Sequence, residues 1–341
     1  MMTQLWPRLY GAPVDDSSFQ DIDDTLLRDV SQVPWLGLYD LVGGLVGLGV
    51  YALDRLPNKT AAATLEQIVN RLYEICEKRS DGITYLTTPE QIVLPSTRAQ
   101  FPYGYYDLGL AHGVAGIIAF LSEAASTGIA TQKARELLDG VMAWMLTQQF
   151  SPEALGCFTY SVSAEADAPR NERQLARLAW CYGDLGIATS VLRAARFAAS
   201  PRWEELGLEV GLKAARRQYE GSGIADAGIC HGAAGAGHIF NRLFQATGKD
   251  EFREASLRHF EAALKFYRPG EGVGGFFMWD NTIGDFAPDE GLLNGSIGIG
   301  LALLSAVTPS EPFWDRLLLV SIPQATTVAL QLNNQLEVKN A

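Results

Sequence analysis

The chain has 341 residues, 48% of them hydrophobic and 19% charged, a composition that indicates a folded protein with a large core and excludes a disordered chain. The 27 basic and 39 acidic residues give a net charge of -12, which argues against a nucleic-acid partner because nucleic-acid surfaces need clustered lysine and arginine. No apolar run approaches the roughly 20 residues of a transmembrane segment.

The N-terminal sequence and the number of cysteines indicate the cellular compartment of the protein. The N-terminal residues are polar and then acidic, without the charged and apolar regions of a signal peptide. Four cysteines are too few for a disulfide framework in a chain of this length. We therefore expect a cytoplasmic protein, in which cysteine and histidine in one motif are more often ligands or catalysts than disulfide partners.

Residues 1–34 form a polar, acidic N-terminal segment, and we predict one domain over residues 35–341. In that domain five segments carry Gly-x-x-Gly followed by an apolar run, beginning at Gly44, Gly113, Gly183, Gly232 and Gly295. Ten residues after each first glycine the side chain is polar, at Asp54, Glu123, Arg193, Arg242 and Ser305. The repeat predicts five helices that are buried on all sides until their far ends.

Amphipathic helices are predicted between these segments. Apolar residues recur at intervals of three and four over residues 60–79, 131–150, 202–219 and 250–267, and residues 311–320 open a weaker fifth helix. Alternating buried and amphipathic helices predict an all-α fold, an α/α toroid with an inner and an outer ring. Parallel inner helices would bring the residues before each Gly-x-x-Gly to a common centre, namely Gly43, His112, Tyr182, His231 and Asn294.

Two of these helix starts carry potential metal ligands, Cys181 in "WCYGDLG" and Cys230 with His231 in "CHGAAG". Two thiolates and one imidazole match the donor set of a zinc site whose fourth position stays open for water or substrate. The alternative is that both cysteines pack as small hydrophobic residues, that His231 caps a helix, and that the glycines serve only close packing. The shared register of the helix starts favours the metal site.

Such a site suits hydrolysis by an activated water, or the activation of a substrate thiol. In the second case sulfur would add to an electron-poor alkene, and a proton would then have to reach the carbon of the resulting enolate. His112 is a candidate donor of that proton. Arg177 and Tyr182 flank Cys181, where they could stabilise the enolate oxygen. Cys76 is predicted in the middle of an amphipathic helix and Cys157 in a loop, without an assigned role.

Four motifs, in the order "YDLVGGLVGLG", "DLGLAHGVAGI", "RLAWCYGDLGIA" and "ICHGAAGAGHIF", resemble those of the lanthionine synthetase C-like family, the lanthipeptide cyclases. The resemblance covers about residues 36–306. It implies an α/α toroid that binds one zinc ion through Cys181, Cys230 and His231. It also implies the family reaction, in which a peptide cysteine thiol adds to dehydroalanine or dehydrobutyrine and closes a thioether ring.

The resemblance assigns further roles by motif. His112 matches the acid/base histidine of the family, Asp40 matches the acidic residue that works near it, and Arg177 and Tyr182 match the positions that flank the first zinc ligand. The implied substrate is a dehydrated precursor peptide. Dehydration is expected from a separate dehydratase, because the chain has no room for such a domain.

One feature departs from the family. Its members usually carry another glycine-rich hairpin ahead of the Tyr-Asp motif, whereas only about 35 residues, without Gly-x-x-Gly, precede it here. The toroid is therefore expected to lack its first hairpin, or to be closed by the N-terminal segment or by another chain.

Three alternatives remain open at this stage. The chain could add glutathione or another thiol to dehydrated residues of other proteins. It could be a non-catalytic scaffold that binds a peptide or a dehydratase while its zinc is structural. It could also be a toroid glycosidase with Asp40, Asp107 and Asp184 as candidate carboxylates, although that function leaves the cysteines unexplained.

Overall fold

The computed structural model describes residues 19–165, 175–280 and 282–323. These residues divide into two compact units. The first unit contains 19–149, 161–165 and 313–319, and the second contains the remaining described residues. The predicted domain boundary at residue 35 stays a prediction, and residues 1–18 and 324–341 lie outside the described part of the chain. Within that part, no helix is both long enough and apolar enough to cross a membrane.

The first unit contains six α-helices among its described residues: α1 (Gln20–Val30), α2 (Leu45–Arg55), α3 (Lys59–Ile75), α4 (Pro95–Gln100), α5 (Val114–Ala124) and α6 (Thr131–Leu146). The helices α2 and α5 follow Gly-x-x-Gly starts, and each packs against the amphipathic helix that comes next, α3 or α6. The helices α2 and α5 also contact each other, as do α3 and α6. The predicted alternation of the two helix types is therefore present in this unit.

The second unit repeats the arrangement with α7 (Asp184–Ala198), α8 (Pro201–Arg216), α9 (Ala233–Thr247), α10 (Asp250–Lys265) and α11 (Ser296–Val307). The Gly-x-x-Gly helices α7, α9 and α11 contact one another in sequence order, and α8 and α10 pack beside α7 and α9. The predicted weak helix over residues 311–320 is instead a 3-10 helix, Phe313–Leu318, which belongs to the first unit.

Short antiparallel strands occupy parts of the long loops. In the first unit β1 (Glu77–Arg79) pairs with β2 (Gly82–Thr84), and β4 (Tyr105–Asp107) lies between β3 (Leu86–Thr87) and β5 (Ser161–Ser163). In the second unit β6 (Met278–Asp280) pairs with β7 (Asp285–Ala287). The helix predicted over 60–79 is therefore too long at its C-terminal end.

The helix α3 ends at Ile75, so the prediction that Cys76 lies in mid-helix is wrong. The physical reason is a contact distant in sequence. Ile83, on the strand that pairs with Glu77–Arg79, is buried against Gly140 of α6, where any larger residue would collide with it. Pairing in this hairpin takes the chain out of the helix immediately after Cys76.

The Gly-x-x-Gly pattern follows from the path of the loop before each helix. The loop folds back across the first helical turn, so that a carbonyl group lies against the second glycine. A Cβ at Gly47, Gly116, Gly235 or Gly298 would collide with the carbonyl oxygen of Leu41, Leu110, Ile229 or Leu292, respectively. Each of these carbonyls belongs to the residue three positions before the first glycine. The glycines therefore have a structural cause that needs no ligand.

Burial of the Gly-x-x-Gly helices is less uniform than predicted. The helices α5 and α7 are buried along nearly their whole length, but Ile297, Leu304 and Val307 of α11 are exposed, so the prediction is wrong for that helix. The polar far ends also differ, because Arg193 and Arg242 are buried. Their guanidinium groups donate hydrogen bonds to Ser321 and Glu311, respectively. These bonds replace the hydrogen bonds to water that an exposed arginine would make.

The helix α1 lies in the predicted polar N-terminal segment, where the sequence analysis predicted no helix. A buried ion pair attaches it to α2, with Arg55 Nη2 at 2.6 Å from Asp23 Oδ2. The Tyr51 hydroxyl donates a second hydrogen bond to Asp23, at 2.8 Å. Removing one partner of such a pair costs about 3–5 kcal/mol, because the other charge stays buried without compensation.

Gly235→Ala tests the fold-back of the loop. The new methyl group would press on the Ile229 carbonyl, and we expect a loss of about 1–3 kcal/mol in the free energy of unfolding, measured by denaturant titration. Gly300→Ala in α11 is the matched control. It meets no atom within 4 Å, and we expect a gain of about 0.5–1 kcal/mol from helix propensity. Equal stability of the two variants would contradict the steric explanation.

Candidate functional site

Backbone hydrogen bonds fasten the loops before α7, α9 and α11 side by side. The N–H groups of Trp180 and Cys181 both donate to the carbonyl of Cys230, at 3.0 and 3.3 Å. The N–H of Cys230 in turn donates to the carbonyl of Leu293, at 2.8 Å. The two cysteines are therefore neighbours because of main-chain pairing, and their side chains are left for other interactions.

The side chains of Cys181, Cys230 and His231 form the cluster that the sequence analysis predicted. Their ligand atoms all lie within 4.8 Å of one another. Cys181 is buried, while Cys230 and His231 are half-buried. This spacing lets small side-chain rotations bring two sulfurs and one nitrogen to a single tetrahedral ion, a donor set typical of zinc. The cluster could therefore hold a metal ion.

The electrostatics of the two thiols also fit a cation. A hydrogen bond from Cys230 lowers the pKa of Cys181, helped by His231 and Arg177 and opposed by burial. The same hydrogen bond, together with burial, raises the pKa of Cys230. The hydrogen bond therefore favours a thiolate at Cys181 and a thiol at Cys230. A bound dication would favour loss of the Cys230 thiol proton as well, because the thiolate is the form that ligates metals.

Arg177 and Tyr182 lie beside the cluster, as the sequence analysis expected. Burial alone would lower the pKa of Arg177, but a hydrogen bond to Tyr160 and the charges of Tyr160, Cys181 and Cys230 raise it. The Tyr182 ring packs edge-on against the Tyr160 ring, with centroids 5.6 Å apart. Sequence analysis did not single out Tyr160, because no motif or period marks its loop.

Asp226 supports the Cys230–His231 loop from within the core. Its Oδ1 accepts the N–H of Gly228 at 2.9 Å, and its Oδ2 accepts the N–H of Trp279 in β6 at 3.0 Å. The same carboxylate–amide contact recurs at Asp107 with Gly109 and at Asp289 with Gly291. All three aspartates stand six residues before the first glycine of their segment. This regularity was visible in the sequence as Asp-x-Gly and was missed there.

Asp107 and Asp184, two of the three aspartates considered for a glycosidase site, have structural partners. Asp107 is buried and accepts the Gly109 N–H. Asp184, the first residue of α7, is also buried and accepts the N–H groups of Cys157 and Phe158, both at 3.0 Å. Burial raises the pKa of Asp184 against the effect of these hydrogen bonds. Both carboxyl groups thus hold loops in place.

His112 and Asp40 form a pair in the first unit. The Leu41 N–H donates to the Ala111 carbonyl at 3.1 Å, which brings their two loops together. His112 Nδ1 lies 2.7 Å from Asp40 Oδ2, and Asp40 Oδ1 accepts the Gly43 N–H at 2.8 Å. The Asp40 side chain is only 9% exposed against 43% for His112. A buried carboxylate thus orients a partly exposed imidazole, an arrangement suited to proton transfer.

The sequence model of the family described as "Lanthionine synthetase C-like protein" matches residues 16–319. The chain belongs to this family. The resemblance drawn from the four motifs is thereby confirmed.

This lanthionine synthetase C-like protein is also similar to two known proteins. The nisin biosynthesis protein NisC of Lactococcus lactis subsp. lactis is 26% identical over 245 residues, which cover 69% of this chain and 57% of NisC. The chain thus spans little more than half the length of that relative. The solved structure of nisin cyclase has a TM-score of 0.70 at 20% identity, over 89% of this chain and 73% of its own. This likeness confirms the predicted α/α toroid fold.

Each unit of this family member therefore contains one part of the predicted site. The second unit brings together Cys181, Cys230 and His231 with Arg177, while Tyr182 packs on Tyr160, the hydrogen-bond partner of Arg177. The first unit joins Asp40 to His112. The predicted meeting of all these residues at a common centre stays a prediction.

Asp226→Ala tests the support of the metal-ligand loop. Loss of the carboxylate removes the partners of the Gly228 and Trp279 amides, so we expect the affinity for a divalent ion, measured by chelator competition, to fall about ten-fold or more. Asp107→Ala, at the same register position in the first unit, should leave that affinity unchanged. Equal effects of both variants would show that Asp226 has no special link to the ligands.

Proposed function

We propose that this protein is a zinc-dependent lanthipeptide cyclase. Its substrate would be a dehydrated precursor peptide, and its products (methyl)lanthionine rings formed when cysteine thiols add to dehydroalanine or dehydrobutyrine. The observation that carries this proposal is the Cys181, Cys230 and His231 cluster in a chain of the lanthionine synthetase C-like family. The names of two relatives, a nisin biosynthesis protein and a nisin cyclase, support the substrate class.

Cys181, Cys230 and His231 would hold the zinc ion through two sulfurs and one nitrogen. When bound, the ion supplies a Lewis acid that favours the deprotonated form of a substrate thiol, which is otherwise a minor species at neutral pH. The lowered pKa of Cys181 supports this assignment, because a site that favours a thiolate also suits a cation.

Arg177 and Tyr182 would stabilise negative charge in the reaction. The sulfur forms a bond to the β-carbon of the dehydro residue, and the electron pair of the alkene moves towards the neighbouring carbonyl oxygen. A guanidinium and a phenol hydroxyl are donors that can meet charge developing on that oxygen. The raised pKa of Arg177 keeps its guanidinium charged at this point.

The Asp40–His112 pair would deliver the proton that completes the addition. The proton lost by the thiol is balanced by the one that the α-carbon gains, so the reaction needs no oxidant or further reactant. Asp40 holds Nδ1 of the imidazole and thereby assigns Nε2 to the transfer. The geometry of this pair in its own unit supports the role.

The setting of the reaction is also part of the proposal. The precursor peptide would reach this protein after a separate dehydratase has removed water from its serine and threonine residues. All four cysteines, which lie in the described part of the chain, are free thiols. Free thiols agree with a reducing compartment, and we propose that the protein acts in the cytoplasm.

Cys181→Ala should abolish both zinc binding and ring formation while the protein stays folded. Zinc would be measured by elemental analysis and rings by mass spectrometry after alkylation of the remaining thiols of a dehydrated, cysteine-containing peptide. Cys76→Ala is the matched control, because Cys76 is a free thiol outside the cluster. We expect about one zinc ion per chain in the control and normal ring formation.

The same assay separates the alternatives. Addition of free glutathione to a dehydrated protein, without ring closure in the peptide, would replace the cyclase by a thiol transferase. Zinc binding with neither product would leave a scaffold. A wild-type protein purified without zinc, and unable to take it up, would contradict the proposal altogether.

His112→Ala should lower kcat for ring formation by about 10²–10⁴-fold, the range typical of a lost general acid. Asp40→Asn should reduce kcat less, because the imidazole stays but loses the partner that orients it. Both variants should keep the zinc content of the wild type, since neither residue is a ligand. A His112→Ala protein that closes rings at the normal rate would contradict the assigned role.

A further inference from the structure

The loop that carries Cys181 is built differently from its relatives in the repeat. In three of the five loops an aspartate six residues before the first glycine accepts a backbone N–H of the same loop, at Asp107, Asp226 and Asp289. The position in the Cys181 loop is Arg177, which cannot accept a hydrogen bond through its guanidinium. This loop therefore lacks that carboxylate.

Tyr160 gives this loop a different anchor, from a segment outside the loop. The backbone N–H of Arg177 donates to the Tyr160 hydroxyl oxygen at 3.0 Å. The Arg177 side chain is also hydrogen-bonded to Tyr160. The Tyr160 hydroxyl thus contacts both the backbone N–H and the guanidinium of Arg177, and it holds both groups in place. The Tyr160 ring packs against Tyr182 as well.

Tyr160 is itself held by the start of α7. Two residues before Tyr160, the Phe158 N–H donates to Asp184, and so does the N–H of Cys157. The Phe158 carbonyl accepts the N–H of Ala176, the residue directly before Arg177, at 3.4 Å. The segment just before Tyr160 is therefore tied both to the start of α7 and to the residue before Arg177, which supports the position of the phenol.

We propose that Tyr160 is a positioning residue for the reaction, acting through Arg177 and Tyr182. Its hydroxyl holds the guanidinium beside Cys181 and Cys230, and its ring fixes the orientation of Tyr182. Arg177 stands where three other loops have an aspartate, and Tyr160 holds this arginine through its backbone N–H and its guanidinium. The role rests on the proposed function, in which Arg177 and Tyr182 stabilise the developing enolate.

Tyr160→Phe tests the hydroxyl and keeps the ring against Tyr182. We expect kcat for ring formation to fall about ten-fold, with the KM for the peptide, the zinc content and the unfolding temperature close to wild type. Tyr219→Phe is the matched control, a half-buried tyrosine of the same unit whose ring packs against His259. It should keep the wild-type kcat. An unchanged kcat in Tyr160→Phe would overturn the proposal.

A double-mutant cycle separates positioning from a general structural effect. If Tyr160 acts through Arg177, adding Tyr160→Phe to Arg177→Ala should cause no further loss, whereas independent effects would multiply. Multiplied losses would overturn the proposal.

A crystal structure of Tyr160→Phe gives a readout without activity. The Arg177 guanidinium should leave the vicinity of Cys181, and an unmoved guanidinium would also overturn the proposal. If the wild-type protein formed no rings, the proposed function would fail, but this structural comparison would still decide whether Tyr160 positions Arg177.

Discussion

The close approach of a loop carbonyl to the second glycine of four of the five Gly-x-x-Gly helices is the constraint on which the local architecture depends. At Gly235 and Gly298, for example, no side chain fits between the helix and the carbonyl of Ile229 or Leu292. Because the loop must lie flat on the first turn, its main-chain groups face the neighbouring loops. They pair there, as the amides of Trp180 and Cys181 do with the carbonyl of Cys230. Steric compression at Gly232 and Gly235 thus holds the Cys230 loop where its carbonyl accepts these amides, and this pairing brings the two cysteines together.

The two thiols show how this scaffold creates chemistry from ordinary residues. A buried cysteine by itself has a raised pKa, because burial disfavours the thiolate. Here Cys230 donates a hydrogen bond to Cys181, which lowers the pKa of Cys181 and raises that of Cys230. Arg177 adds a positive charge nearby, and it stands where other loops have an aspartate. An aspartate at that position would disfavour the thiolate of Cys181 by charge repulsion. Arginine at this position therefore stabilises the cysteine cluster, in addition to its proposed role towards the substrate.

Much of the helical fold and the candidate metal ligands could be predicted from local sequence. Three- and four-residue spacing located α6, α8 and α10, and the motifs around Cys181 and Cys230 located the ligands because they recur in one register. Other features depend on partners far along the chain. The helix α1 buries Asp23 only because Arg55 pairs with it, so hydrophobic spacing gives no signal there. The end of α3 is set by strand pairing beyond Cys76, and Tyr160 gains its importance from Arg177, 17 residues later.

The repeat also explains why the chemical residues stand where they do. Both glycines and the carbonyl three residues before the first glycine are used for the fold-back, and the position six residues before it is used for anchoring in three of the five loops. The two positions directly before the first glycine vary from loop to loop: Val42–Gly43, Ala111–His112, Cys181–Tyr182, Cys230–His231 and Leu293–Asn294. Their main chain takes part in the pairing, but their side chains do not determine the turn. A thiol or an imidazole can therefore replace an alanine or a glycine there without disturbing the scaffold. Where a charge stands outside these two positions, as at Arg177, it occupies the position of the anchoring aspartate, and a distant side chain, Tyr160, holds it there.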